Sequence, residues 1–152
     1  MAATIDHEQR IKNYFTAWMN HDIDLLRTIF SPSAKYIIRR KTTYSGIEEI
    51  TKYWKRNKNR QKNLQLHWKS LVSSYYCEVV EFGAYFWDLE NNQYTKVNGQ
   101  IIFKYDTNNQ IICLTESYKV RTINKNLIHE SLDATQDTFS APQKNENKSL
   151  QK

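Results

Sequence analysis

The sequence predicts an α+β fold, with three N-terminal helices collected on one face of a curved, mostly antiparallel sheet. Apolar residues recur at a helical period through the first third of the chain. After a polar, lysine-rich stretch the period changes to two, and turn signals divide the remainder into long strands. With 152 residues, of which 39% are hydrophobic, the chain has the length for one domain with a real core.

The first helix is the clearest element. Ile11, Tyr14, Phe15, Trp18 and Met19 form one apolar stripe along a helix that Asp6 caps and that runs to about Asn20, while residues 1 to 5 read as frayed. His21 and Asp22 break the pattern. Asp22 then caps a shorter helix whose apolar side is Ile23, Leu26, Ile29 and Phe30, stopped by Ser31-Pro32. Ala34 to Arg40 reads as a strand at or near an edge, with Thr42 to Tyr44 prolonging it past a kink. Ser45-Gly46-Ile47-Glu48 has the form of a capping box and opens a third helix carrying Ile47, Ile50, Tyr53 and Trp54. That helix dissolves into a polar loop over 55–62, which reads as mobile.

Four strands come next. Leu64, Leu66 and Trp68 alternate with Gln65, His67 and Lys69 in a strand that ends near Ser74. Glu78 to Leu89 is apolar on both sides, so both of its faces are expected to be covered. Gln93 to Tyr105 and Ile111 to Val120 complete a meander through turns at Glu90-Asn91-Asn92 and Asp106-Thr107-Asn108-Asn109. The domain is therefore read as 1–121. The tail, 122–152, carries one amphipathic segment over 123–132 and then a composition typical of disorder.

Composition narrows the function classes. No apolar run approaches the roughly 18 residues of a membrane span, and the first residues lack a secretory signal, so a soluble cytoplasmic chain with no membrane partner is expected. Cys77 and Cys113 lack metal-ligand spacing and read as free thiols. The net charge of +6 is concentrated between Lys35 and Lys69, where 11 basic residues face only Glu48 and Glu49. Such a block can attract an anionic partner, but across a helix end and loop it reads first as a solvated face, and nucleic acid is not expected. No zinc, phosphate-loop or serine-hydrolase motif is present, so neither a metal nor a cofactor is predicted.

Three pieces carry a resemblance: Y-F-T-A-W-M-N-H-D-I-D-L-L-R-T-I-F, Y-S-G-I-E-E-I-T-K-Y-W and F-K-Y-D-T-N-N-Q-I-I-C-L-T-E-S-Y. Together they make residues 8 to 120 resemble the SnoaL-like branch of the nuclear transport factor 2-like superfamily. The resemblance implies a cone-shaped barrel whose sheet wraps around the first helix and leaves an internal pocket, often in a homodimer. Ketosteroid isomerase chemistry on that fold needs an aspartate base and two oxyanion donors. Laid along this chain, the pattern puts the donor tyrosine at Tyr14, the base at Ile38 and the second donor at Ile101. Two alkyl side chains cannot fill those roles, which speaks against that reaction.

The same alignment sets strand parity and proposes a lining. Tyr14 and Trp18 come from the first helix, Tyr36, Ile38 and Arg40 from the first strand, and Trp54 from the third helix. Leu66, Trp68, Phe82, Ala84, Phe86, Val97, Gly99, Ile101, Leu114, Glu116 and Tyr118 face inward from the meander. This set suits a small hydrophobic or aromatic ligand in a pocket of roughly 300 to 1,000 Å³, and it equally suits a filled core. Glu116 is the sharpest candidate, since a desolvated carboxyl gains a raised pKa and can act as acid or base near neutral pH. Arg40 shares its parity and either pairs with it or orients an anionic ligand. Tyr14 and Tyr118 can donate to a ligand carbonyl. His67 has outward parity and belongs to a surface or dimer contact, and His7, His21 and His129 have no partner pattern. A small-molecule-binding protein ranks first among the readings. A homodimeric scaffold using the convex face, with Tyr85 and Trp87, and the basic 52–69 segment ranks second, and an isomerase, dehydratase or cyclase built on Glu116 with Tyr14 or Tyr118 ranks third.

Overall fold

The computed structural model describes residues 6–123. The chain runs α1 (His7–Asn20), α2 (Ile23–Ile29), β1 (Phe30–Ile38), β2 (Thr42–Ser45), α3 (Ile47–Lys58), β3 (Gln61–Ser73), β4 (Cys77–Asp88), β5 (Gln93–Tyr105) and β6 (Ile111–Ile123). Residues 1 to 5, most of the segment 123–132 and the tail after it lie outside the described residues.

The six strands form one open sheet in the order β2-β1-β6-β5-β4-β3. Only β1 and β6 pair in parallel, with Ile38 opposite Glu116, and the other neighbours are antiparallel. The helices cover one face of this sheet, and the core between the layers is largely aromatic. Tyr14 meets Phe103 edge-on at 4.9 Å, and Phe15 stacks on Trp68 at 4.6 Å with the rings 5° from parallel. Met19, part of the apolar stripe in the sequence, is 39% exposed and does not anchor the helix. Buried Arg10 does so instead. Its guanidinium lies 3.5 Å over the Tyr105 ring, donates to the Ser74 and Tyr75 carbonyls and to Asn109, and faces the fully buried Glu78.

The structure departs from the local sequence patterns at several places. Asp6 and Asp22 do cap α1 and α2 through their side chains. Phe30, however, is extended rather than helical, and β1 begins there. Pro32 is tolerated because the β1–β6 register shifts between Phe30 and Lys35, where no regular ladder requires its missing N–H. Thr42–Ser45 does not prolong β1. Arg39 and Arg40 both take left-handed φ values, 53° and 56°, and reverse the chain into β2, which forms the edge. The capping box over Ser45 and Glu48 does not form. Ser45 is held in β2 opposite Lys35, Gly46 at φ 86° is the cap residue, and Glu49 accepts from the Ser45 N–H while Glu48 pairs with Arg27.

The polar stretch 55–62 is ordered rather than a loose loop. Helix α3 continues to Lys58, β3 starts at Gln61, and the Leu89 N–H bonds the Arg60 carbonyl at 2.9 Å. On the outer face of the sheet, His67 and Tyr85 are buried rather than open to water, with their rings edge to face at 6.5 Å. Inside, Gly99 is fixed by close approach. A Cβ there would come within 2.0 Å of the Ser117 carbonyl and 2.7 Å of Tyr118.

Candidate functional site

The strand parity that places Glu116 among the inward-facing side chains also brings it to the wall of a cavity of about 170 Å³ between the sheet, α1 and α3. Glu116 is buried at 4% exposure. The Tyr36 hydroxyl donates to its Oε2 at 3.0 Å, and the Tyr14 hydroxyl lies 3.1 Å from that of Tyr36. With the Tyr36 proton spent on the carboxylate, Tyr14 donates to Tyr36, and a relay runs from the core to the cavity wall. No other hydrogen bond to the Glu116 side chain forms among the described residues, and no cation pairs with it there. Desolvation pushes its pKa from 4.5 up to about 7, against the lowering effect of the Tyr36 hydrogen bond. Burial first, and the nearby Glu116 second, raise the hydroxyl pKa values of Tyr14, Tyr36, Tyr53 and Tyr118.

The rim is polar. Gln61 Oε1 lies 3.0 Å from both Trp18 Nε1 and His21 Nε2. Because the indole can only donate, the shared atom is an acceptor, so His21 presents Nε2–H to it. Burial lowers the His21 pKa, so the ring is neutral at pH 7. Arg60 grips Asp88 with two hydrogen bonds of 3.1 and 2.9 Å, and its Nε lies 3.7 Å from Glu90. Burial alone would raise the Asp88 carboxyl, but donors from Arg60 and Asn91 outweigh it and hold the pKa at about 2. Between rim and floor stand Trp18, Tyr36, Tyr53, Trp54, Phe86 and Tyr118. The buried Trp54 Nε1 has no acceptor among the described residues.

The structure gathers only part of the set that sequence parity selects. Trp18, Tyr36, Trp54, Phe86, Val97, Glu116 and Tyr118 line the cavity. Tyr14 sits one shell deeper, fully buried behind Tyr36. Ile38, Leu66, Phe82, Ala84, Ile101 and Leu114 are packed in the core, and Trp68 is taken up by its stack on Phe15. Arg40 is exposed in the β1–β2 turn and makes no pair with Glu116, because the left-handed reversal carries it out of strand parity. The cation at the mouth is Arg60. Asp88, Thr95, Val120 and Thr122 also line the cavity, and the period-two count from Phe86, Val97 and Tyr118 reaches all four. His21, Tyr53, Asn57, Arg60 and Gln61 carry no such signal, since the crossing of α1, α3 and β3 brings them together.

No protein-family model matches this sequence, and neither does any curated protein. Solved structures match its shape. SalBIII, an epoxide hydrolase/cyclase-like enzyme with a role in pyran ring formation in the polyether salinomycin, superposes with a TM-score of 0.65 at 13% identity, over 78% of this chain and 98% of its own. A SnoaL-like polyketide cyclase from Shewanella denitrificans gives 0.67 at 13% identity, over 74% and 90%. A protein of ketosteroid isomerase-like fold from Catenulispora acidiphila, in complex with trimethylamine, gives 0.62 at 15% identity, over 70% and 82%. The chain therefore has the nuclear transport factor 2-like fold. No described helix is long and apolar enough to cross a membrane, and no described cluster of His, Cys, Asp or Glu is arranged to hold a metal ion.

Proposed function

We infer that this protein binds a small molecule in the cavity over Glu116. One observation carries the reading: a buried carboxyl held by Tyr36 stands at the wall of a space lined by six aromatic side chains together with polar ones such as Gln61, Asp88 and Thr95. Packed cores avoid such a group, because an ionisable side chain without a charged partner costs stability. At about 170 Å³ the cavity falls below the drug-sized range inferred from the sequence. It suits one ring or a compact branched group, as a roughly 150 Å³ apolar cavity takes benzene. Proteins that share this fold handle unlike molecules, so the fold leaves the ligand to the side chains. Trp18 and Trp54 line the space, and their fluorescence reports occupancy. Titration with single-ring and branched C4 to C6 fragments is expected to quench them, and a set that leaves the signal flat refutes the reading.

A second reading, an isomerase-, dehydratase- or cyclase-type enzyme, is favoured by the Glu116 pKa of about 7, the value useful to a general acid or base. Its hydrogen-bonding companion is Tyr36 rather than Tyr14, whose hydroxyl reaches Glu116 only through Tyr36. Turnover lost in Glu116→Gln while the fold and fragment binding persist supports it, and unchanged turnover excludes it.

A further inference from the structure

The ligand class can be argued from the charges around the cavity. Trp18, Tyr36, Tyr53, Trp54, Phe86 and Tyr118 present aromatic rings to it, and ring faces carry negative electrostatic potential. The carboxyl at its wall has no cation of its own among the described residues. The cation that lines the cavity is already paired. Arg60 is neutralised by Asp88 and Glu90, and the Arg39 guanidinium lies 5.5 Å from the Tyr118 ring centroid. His21 is held neutral by burial. An anion entering this space would meet an uncompensated carboxylate, whereas a cation would supply the partner that Glu116 lacks.

We propose that the cavity is an aromatic cage for the head of a small organic cation, an alkylated ammonium whose charge is balanced by Glu116. This rests on the small-molecule reading and deepens it. Compact methylated ammonium groups fit better than guanidinium or a primary amine. They need few hydrogen bonds, and the wall offers rings around a carboxylate with one filled hydrogen-bond position.

The groups that face Glu116 set the pH dependence. Tyr14 on α1, Tyr36 on β1, Tyr53 on α3 and Tyr118 on β6 are the titratable neighbours, and all four are phenols whose pKa values are raised, hence neutral at pH 7. The β5 residue opposite Glu116 is Ile101, which has no charge. Among these neighbours Glu116 is the group that ionises near neutral pH, and a cation binds its ionised form.

The test compares choline with the neutral alcohol in which a tert-butyl group replaces the trimethylammonium head, using tryptophan fluorescence and calorimetry on the full chain. Above pH 8 choline is expected to bind at least about tenfold tighter than its isostere. Its affinity should fall by about tenfold between pH 8 and 6 while the isostere's stays level. Glu116→Gln, checked for an intact fold by circular dichroism, should erase the preference, and the wild-type pH series decides the matter where that variant does not fold. Equal binding of the two at every pH overturns the cation and leaves the small-molecule reading standing. Binding of neither overturns the cation proposal, and failure of the neutral fragment set as well removes the reading beneath it.

Discussion

Replacing Glu116 by glutamine tests whether the carboxyl that marks the cavity is a burden on the fold. Glutamine keeps the size of the side chain and an oxygen that can accept from Tyr36, so the substitution removes little beyond the titratable proton. Below about pH 4.5 the glutamic acid is neutral in both folded and unfolded chains and contributes no pH dependence. As pH rises, the unfolded chain ionises first while the folded chain holds its proton up to about 7, so wild-type stability falls through that window. From 4.5 to about 7, at about 1.36 kcal/mol per pH unit, the cost reaches about 3 kcal/mol above neutral pH. The glutamine variant lacks this cost. Urea unfolding monitored by circular dichroism at several pH values between about 5 and 8 should show the stability gap, variant minus wild type, widening by about 2.5 kcal/mol, which corresponds to roughly 10 °C in melting temperature for a domain of this size. Other groups titrate equally in both proteins and cancel. A gap that stays constant with pH, or narrows, would refute the placement of Glu116 in a dry environment and with it the idea that a site is kept at the expense of stability.

Two further substitutions probe what holds the site's frame. Arg10→Ala takes the cation from the fully buried Glu78 and removes the hydrogen bonds from the start of α1 to Ser74, Tyr75 and Asn109, and is expected to cost 3 to 5 kcal/mol, roughly, in equilibrium unfolding; a loss under about 1 kcal/mol would show the network to be incidental. Gly99→Ala drives a methyl group to 2.0 Å from the Ser117 carbonyl in the ladder that carries Glu116 and Tyr118, so β5 and β6 must separate locally. Loss of soluble protein, or a melting temperature more than about 10 °C lower, is expected, and a wild-type melt would mean the sheet yields more readily than its packing implies.

The sequence by itself determined the layers. Helical spacing in Ile11, Tyr14, Phe15 and Trp18, the side-chain caps Asp6 and Asp22, and alternation through Leu66, Phe82, Val97 and Glu116 are local consequences of backbone geometry, so they can be read along the chain. Strand parity was enough to place Glu116 and Tyr36 on the inner side, helical spacing placed Trp54 there, and a longer count along the strands would have reached Asp88 and Thr122. It could not tell lining from filling. Ile38, Leu66 and Leu114 share the inward face with Glu116, yet they are packed into the core, while the cavity opens toward Tyr53, Arg60 and Asp88. Periodicity also fails where the backbone leaves its repeat. Two left-handed residues at Arg39 and Arg40 turned the expected extension into an edge strand and removed Arg40 from the site, while the short link after α3 delivered Arg60 and Gln61 to the rim. Which side chains surround the carboxyl, which cation is already paired and how much room remains depend on contacts between residues far apart in the chain, and only the packed tertiary structure decides those.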